Sequence, residues 1–227
     1  MNEFSRIESL IGIESLNKIK NTTVLIIGLG GVGGSAAETI VRNGVENIIL
    51  VDYDVIDITN INRQIIALHS TLGKYKTDVM EKRIKDINPK CNVMKINKLI
   101  DKTNIEELFN YNINYIIDAC DTIETKKLLI KYSIEKNIGI ISSMGTAKKI
   151  DPTKLTITDI RKTSYDRIAK IMRKWIVDEK IKNKVDVVSS TEQIIKNEDK
   201  ILASMSFVPN IAGIMCAKYV IDKVLNN

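Results

Sequence analysis

The first chemistry in the chain lies in Gly28-Leu29-Gly30-Gly31-Val32-Gly33-Gly34, a G-x-G-x-x-G run between a short β-branched segment and a helical one. Glycines in that setting let backbone N–H groups close on a phosphate, and the helix N-terminus they open attracts its charge. Asp52 closes the next apolar segment, where a carboxylate accepts ribose hydroxyls. Together these mark a nucleotide site without separating NAD, FAD and ATP. Beyond Asp52 stand Asp54, Asn60, Asn62, Arg63, Gln64 and Lys76. A dinucleotide enzyme needs the ribose carboxylate there but no row of amides and cations. A triphosphate losing pyrophosphate does need cations, because charge builds on the leaving oxygens. Arg63 offers a planar fork and Lys76 a mobile point charge. Asp118 and Asp121 flank Ala119-Cys120 after another apolar run. A carboxylate at a strand's end suits Mg²⁺, and Asp121 equally suits the N-cap of the helix that follows.

Such residues need a scaffold of alternating strands and helices. Strands are expected over 24–27, 47–52, 92–96, 115–118 and 138–142, and helices over 35–43, 74–88, 105–110 and 122–136. The alternation predicts a mostly parallel sheet with helices on both faces. Further on, a strand is expected over 155–160 and a helix over 164–179, with Ile168, Ile171, Met172, Trp175 and Ile176 on one face. Strands over 185–188 and 201–207 and a closing helix over 208–225 complete the pattern. The expected fold is α/β: a doubly wound, Rossmann-like sheet with a short C-terminal substrate-facing extension. It forms one domain over 1–227, with 1–150 binding nucleotide and 151–227 facing substrate.

Composition narrows the classes. The 227 residues are 44% hydrophobic and 27% charged, as in a soluble globular protein with one large core. Cys91, Cys120 and Cys216 form no C-x-x-C pair. That argues against a disulfide scaffold and a four-thiolate zinc site, and fits a reducing cytoplasm. No secretory signal opens the chain, and the charge-free runs 24–37 and 201–217 carry glycines or polar residues. Both fall short of the ~20 mostly apolar residues of a spanning helix, so no membrane insertion is expected. Net charge is +6, and residues 161–184 hold nine Lys/Arg against three acids, an excess equal to that of the whole chain. Arg167, Lys170, Arg173 and Lys174 lie largely off the apolar helix face. They suit phosphate contacts along a nucleic acid, and equally a solvated face. Trp175 belongs to the apolar stripe, and His69 to the surface or a cap.

The glycine run, Asp52-Tyr53-Asp54, Asn60-Ile61-Asn62-Arg63-Gln64, Lys76 and Asp118-Ala119-Cys120-Asp121 together resemble the ThiF-like, ubiquitin-activating-type adenylating enzymes over roughly residues 1–150. Phe4-Ser5-Arg6 and Val208-Pro209-Asn210-Ile211-Ala212-Gly213 look like further family segments. Asn62-Arg63-Gln64-Ile65-Ile66-Ala67-Leu68, Met144-Gly145-Thr146-Ala147 and Ser189-Ser190-Thr191-Glu192 resemble the tRNA threonylcarbamoyladenosine dehydratases within that family. The resemblance implies ATP and Mg²⁺ as cofactors. Gly28, Gly30, Gly31 and Gly33 would cradle phosphate, Asp52 would hold ribose, and Asp54 and Gln64 would support them. Asn62, Arg63 and Lys76, with Arg6 of the partner subunit, would stabilise charge as the α-phosphate is attacked. Asp121 would hold Mg²⁺ directly or through water.

The same likeness implies a homodimer and tRNA carrying threonylcarbamoyladenosine as partner, its carboxylate activated and its ring closed with loss of water. The substrate's own urea nitrogen attacks intramolecularly, so no enzyme nucleophile is needed. Many dehydratases carry cysteine where Val187 stands, so a cysteine there is not essential to this chain's chemistry. Zinc is not expected. A monovalent cation and a sulfur-relay protein are admitted by the family with no residue assigned. The alternatives are an adenylating enzyme for the C-terminus of a sulfur-carrier protein, and a nucleotide-binding module without transfer chemistry.

Overall fold

The computed structural model describes residues 2–195 and 203–226. Two short helices, α1 (Ser5–Ile11) and α2 (Ile13–Lys20), precede β1 (Thr23–Ile27), α3 (Gly31–Arg42) and β2 (Asn47–Val51). Then follow α4 (Lys76–Ile87), β3 (Asn92–Ile96), α5 (Ile105–Leu108), β4 (Tyr115–Asp118), α6 (Ile123–Glu135) and β5 (Gly139–Ser143). The chain closes with β6 (Leu155–Asp159), α7 (Arg167–Asp178), β7 (Asp186–Ser190) and α8 (Phe207–Leu225). The seven strands form one sheet in the order β3-β2-β1-β4-β5-β7-β6. All described pairings are parallel except β6 with β7.

The central strands read as unbroken apolar runs because helices cover both faces of the sheet. Alternate residues leave β1 in opposite directions. Val24 and Ile26 pack with α3, α4 and α8, while Leu25 and Ile27 pack with α5 and α6. A third cluster places Ala169, Met172, Trp175 and Ile176 of α7 against Val185 and Val187. Strand order reverses between β1 and β4, which opens a crevice at the carboxyl ends of β1, β2 and β4.

Residues 151–195 and 203–226 continue this same sheet and its cover. Helix α8 crosses α3 closely enough that a Cβ on Gly213 would stand 2.1 Å from the Val32 carbonyl oxygen. Ser35 Oγ donates to Asn210 Oδ1 across the crossing at 2.9 Å.

Three expectations change. Helix α3 begins at Gly31 rather than at residue 35, so the glycines themselves form its first turn. Of the strand expected over 201–207, residues 201–202 lie outside the described residues. Residues 203–206 are irregular, and Phe207 opens α8. Pro209 fits that helix's first turn, where its missing N–H loses no bond. Helices α1 and α2 are additional to the expected elements; Phe4, just before α1, and Leu16 and Ile19 of α2 are buried. No helix among the described residues is long and apolar enough to cross a membrane.

Candidate active site

The crevice holds a cavity of about 330 Å³ lined by Gly28, Gly30, Gly31, Asp52, Asp54, Asn60, Arg63, Gln64, Lys76 and Asp121, among others. Thr146 and Ala147, from the segment after β5, and Ser204 and Pro209, from the approach to α8, complete its rim.

The loop after β1 is shaped by close approach. Gly28 adopts φ +85°, and a Cβ there would lie 2.7 Å from the Ala119 carbonyl oxygen. A Cβ on Gly33 would lie 1.7 Å from the Gly28 carbonyl oxygen, so Gly33 lets α3 close on the loop rather than facing the cavity. Asp52 braces the loop from β2. Its Oδ2 accepts from the Leu29 N–H at 2.6 Å and its Oδ1 from the Asp54 N–H at 2.8 Å. Burial lifts the Asp52 carboxyl above its ordinary range, against the opposing pull of Lys76 and these two N–H groups.

The cations sit across from the loop. Lys76 opens α4, is 5% exposed, and places Nζ 2.7 Å from Asp54 Oδ2. Arg63 turns its guanidinium to the Thr59 carbonyl at 2.8 Å and to Asn62 Oδ1 at 3.0 Å. Asn62 is exposed outside the cavity lining and donates from Nδ2 to the Ser204 carbonyl at 2.8 Å. Gln64 is buried, and its Oε1 has no hydrogen-bond partner. Such an acceptor is costly to leave dry and unpaired, and a bound donor would satisfy it. Asp121 is exposed at the rim. Arg6 is exposed on α1, outside the cavity of its own chain.

Asp118, the strand-end carboxylate of the same segment, is placed apart from Asp121 and away from the cavity. It is fully buried and ion-paired with Lys126 at 3.1 Å, and it accepts from Ser142 Oγ. The last residue of β4 thus points under α6 instead of into the crevice. Lys126 also donates to the Ser143 carbonyl at 2.8 Å. Burial would lower its ammonium pKa, but Asp118 outweighs burial and holds it above the ordinary value.

This lysine was missed in the sequence. Its signal is a cation at helical spacing from Leu129, Ile130 and Ser133, on the face of α6 that is buried. A second missed lysine, Lys149, is buried after β5 with Nζ 3.1 Å from the Gly145 carbonyl and 3.9 Å from Asp166 Oδ2. Burial lowers its ammonium pKa.

No thiol is poised for attack. Burial pushes Cys91 and Cys216 up to about 12. Burial and Asp118 hold Cys120 well above its ordinary range. Val187 is buried in β7.

The basic residues divide. Arg167, Lys170 and Lys174 are exposed on α7, whereas half-buried Arg173 donates to the Thr163 carbonyl at 2.8 Å and to its Oγ1 at 2.5 Å. Trp175 packs in the core with Lys131 Nζ 5.8 Å from its ring centre. His69 is exposed.

Comparison with known proteins sets this geometry in context. A model of the ThiF family matches residues 4–227. A Bacillus subtilis protein named tRNA threonylcarbamoyladenosine dehydratase is 43% identical over 244 residues, covering 100% of this chain and 96% of that one. An Escherichia coli protein of the same name is 35% identical over 193 residues, covering 82% of this chain and 72% of that one. The crystal structure of E. coli tRNA N6-threonylcarbamoyladenosine dehydratase, TcdA, in complex with ATP matches with a TM-score of 0.93 at 31% identity, covering 99% of this chain and 94% of that one.

Proposed function

Because this chain belongs to the ThiF family, we propose that it catalyses the ATP-dependent, cyclising dehydration of threonylcarbamoyladenosine in tRNA. The observation that carries the reading is one cavity that combines a phosphate-sized glycine loop, a ribose-level carboxylate, buried Lys76 and half-buried Arg63, while its lining thiol, Cys120, is held protonated by burial and Asp118. Similarity to the dehydratases across nearly the full length of both chains supports it.

The residues then act as follows. Backbone N–H groups around Gly28, Gly30 and Gly31 hold phosphate, with Gly33 allowing the loop its shape. Asp52 accepts the ribose hydroxyls, and Gln64 Oε1 takes a donor from the nucleotide. A substrate carboxylate oxygen bonds to the α-phosphorus, the bond to the bridging oxygen breaks, and pyrophosphate leaves. Lys76 and Arg63, oriented by Asp54 and Asn62 and joined by Arg6 of the partner subunit, hold the growing charge. The urea nitrogen of the same nucleoside next attacks the acyl carbon. AMP departs with the carboxylate oxygen and the nitrogen gives up its proton, so the nucleoside has lost one water. Both reacting ends belong to one molecule, which makes ring closure intramolecular.

Among the described residues no group of three or more His, Cys, Asp or Glu is arranged to hold a metal. Asp121 at the rim fits the habit of Mg²⁺, which takes one or two carboxylates plus phosphate oxygens and water. Bound there, Mg²⁺ would neutralise charge on the leaving pyrophosphate.

In this reading residues 1–150 serve the nucleotide and 151–227 the tRNA, on one continuous sheet. The protein works as a homodimer in the cytoplasm. The exposed apolar face of Phe207, Ile211 and Ile214 on α8 supports self-association, which light scattering tests. A sulfur-relay partner stays a family-level proposal.

The direct test incubates the protein with ATP, Mg²⁺ and tRNA bearing threonylcarbamoyladenosine, followed by mild digestion and nucleoside mass spectrometry. A species lighter by one water that requires ATP is the expected result. An intact nucleoside, with ATP demonstrably bound, would transfer the assignment to adenylation of a carrier protein.

A further inference from the structure

A further cavity, of about 460 Å³, is joined to the first through the segment that follows β5. It is lined by Tyr165, Asp166, Arg167, Lys170, Arg173 and the Gln193–Ile194 pair. That segment, 145–149, forms a partition wall that touches the lining of one cavity and contributes to the lining of the other. Thr146 and Ala147 face the nucleotide cavity. On the other side Gly145 meets Asp166, where a Cβ would stand 2.2 Å from Oδ2. The Lys148 carbonyl accepts from the Ile195 N–H at 2.9 Å, which ties the strip carrying Gln193 and Ile194 to the same wall. Lys149 Nζ stiffens the wall from within through Gly145 and Asp166.

Tyr165 stands out in this groove. It is 53% exposed and held at φ +50°, a left-handed conformation seldom adopted by an aromatic residue. The strain sits where the chain turns into the N-cap of α7, whose Asp166 side chain accepts from the Ala169 N–H. The ring is therefore presented to solvent beside two exposed cations, Arg167 and Lys170. An exposed aromatic face among cations fits an unpaired base flanked by phosphates.

We propose that this groove seats the nucleotides flanking the modified adenosine. Tyr165 stacks on an unpaired base, Arg167 and Lys170 contact the adjoining phosphates, and the 145–149 wall lets the modified base cross into the ATP cavity. The inference rests on tRNA being the substrate. It also sorts the four cations of α7. Arg173 uses its guanidinium on Thr163 and positions the groove's floor, and Lys174 lies outside the lining and takes no part.

Tyr165→Asn removes the ring while keeping a residue that tolerates the left-handed conformation. It is expected to raise the KM for modified tRNA by about tenfold or more, with kcat changed little and ATP affinity unchanged. Tyr165→Phe keeps the ring and the affinity. Arg167→Gln and Lys170→Gln each lower the slope of log binding constant against log salt by about 1, and Lys174→Gln leaves it alone. Turnover by the wild type together with unchanged KM in Tyr165→Asn overturns the groove and leaves the proposed reaction standing. Absent turnover, with tRNA affinity still lost in Tyr165→Asn, keeps the groove and overturns the reaction. A loss of tRNA affinity in Lys174→Gln equal to that in Lys170→Gln overturns the sorting of the cations, since a general basic surface would then suffice.

Discussion

Lys76→Met separates a structural lysine from a catalytic one. The side chain is nearly buried, but its partner Asp54 has a carboxylate 46% exposed, 2.7 Å away. Once the ammonium is gone, that carboxylate recovers water, and methionine fills most of the vacated volume. The stability lost is therefore that of a half-exposed ion pair, about 1 kcal/mol or less. If Lys76 holds charge on the phosphates, its loss lowers kcat by ~10²–10³, about 3–4 kcal/mol in the barrier. The two readings thus differ by more than the error of either measurement. Urea unfolding supplies the first quantity, and tRNA-dependent exchange of pyrophosphate into ATP supplies the second.

A pH signature accompanies that substitution. Burial already holds the Asp52 carboxyl high, and Lys76 pulls it down. Without Lys76 it rises further, so the acid limb of nucleotide binding moves to higher pH. Exchange at the wild-type rate in a folded Lys76→Met protein would refute the phosphate role, as would a rate loss matched by equal unfolding.

Other outcomes follow from the packing. Gly33→Ala sets a methyl 1.7 Å from the Gly28 carbonyl oxygen and must displace the loop; a loss of about 1–3 kcal/mol and a much weakened ATP titration are expected. Lys126→Met strands the buried Asp118 carboxylate and should cost about 3–5 kcal/mol in urea unfolding. Adding Asp118→Leu should restore most of that, and no recovery would refute the pairing argument. Cys91 and Cys216 are held at about 12 when folded, against ~8.5 in an unfolded chain. Their contribution is complete below ~8.5 and declines as pH rises toward the folded value, because only the unfolded chain has given up the protons. The urea midpoint should fall between pH 8.5 and 10.5, and Cys216→Ala should flatten that slope.

The sheet was legible because its strands are short apolar runs punctuated by glycine, asparagine and aspartate, and β3 and β4 match the expected limits. The cavity was legible because its glycines, carboxylates and cations cluster just beyond strand ends. What escaped was set by tertiary contact. Asp118 and Asp121 look alike in sequence, and only the position of Lys126 under α6 decides which one is buried. Residues 203–206 resemble the end of a strand until α8 is seen to need their turn before Phe207. Helices α1 and α2 are too short to declare themselves by period, and Leu16 and Ile19 hold α2 against the sheet's cover. Tyr165 carried no motif, because its meaning lies in its exposure and in the wall beside it.

The crossing of α8 on α3 bears on how the protein is made. The backbone behind the glycine loop, at Val32, rests on Gly213, which is made long after the loop itself. A nascent chain that has extruded the glycine run, Asp52 and Lys76 still lacks this prop and strand β7 of the sheet. Chains emerge at roughly 5–20 residues per second, so for several seconds the ribosome carries the proposed glycine loop, Asp52 and Lys76 without a finished cavity. A product truncated before α8 but retaining the whole glycine motif should therefore be inert toward both ATP and tRNA.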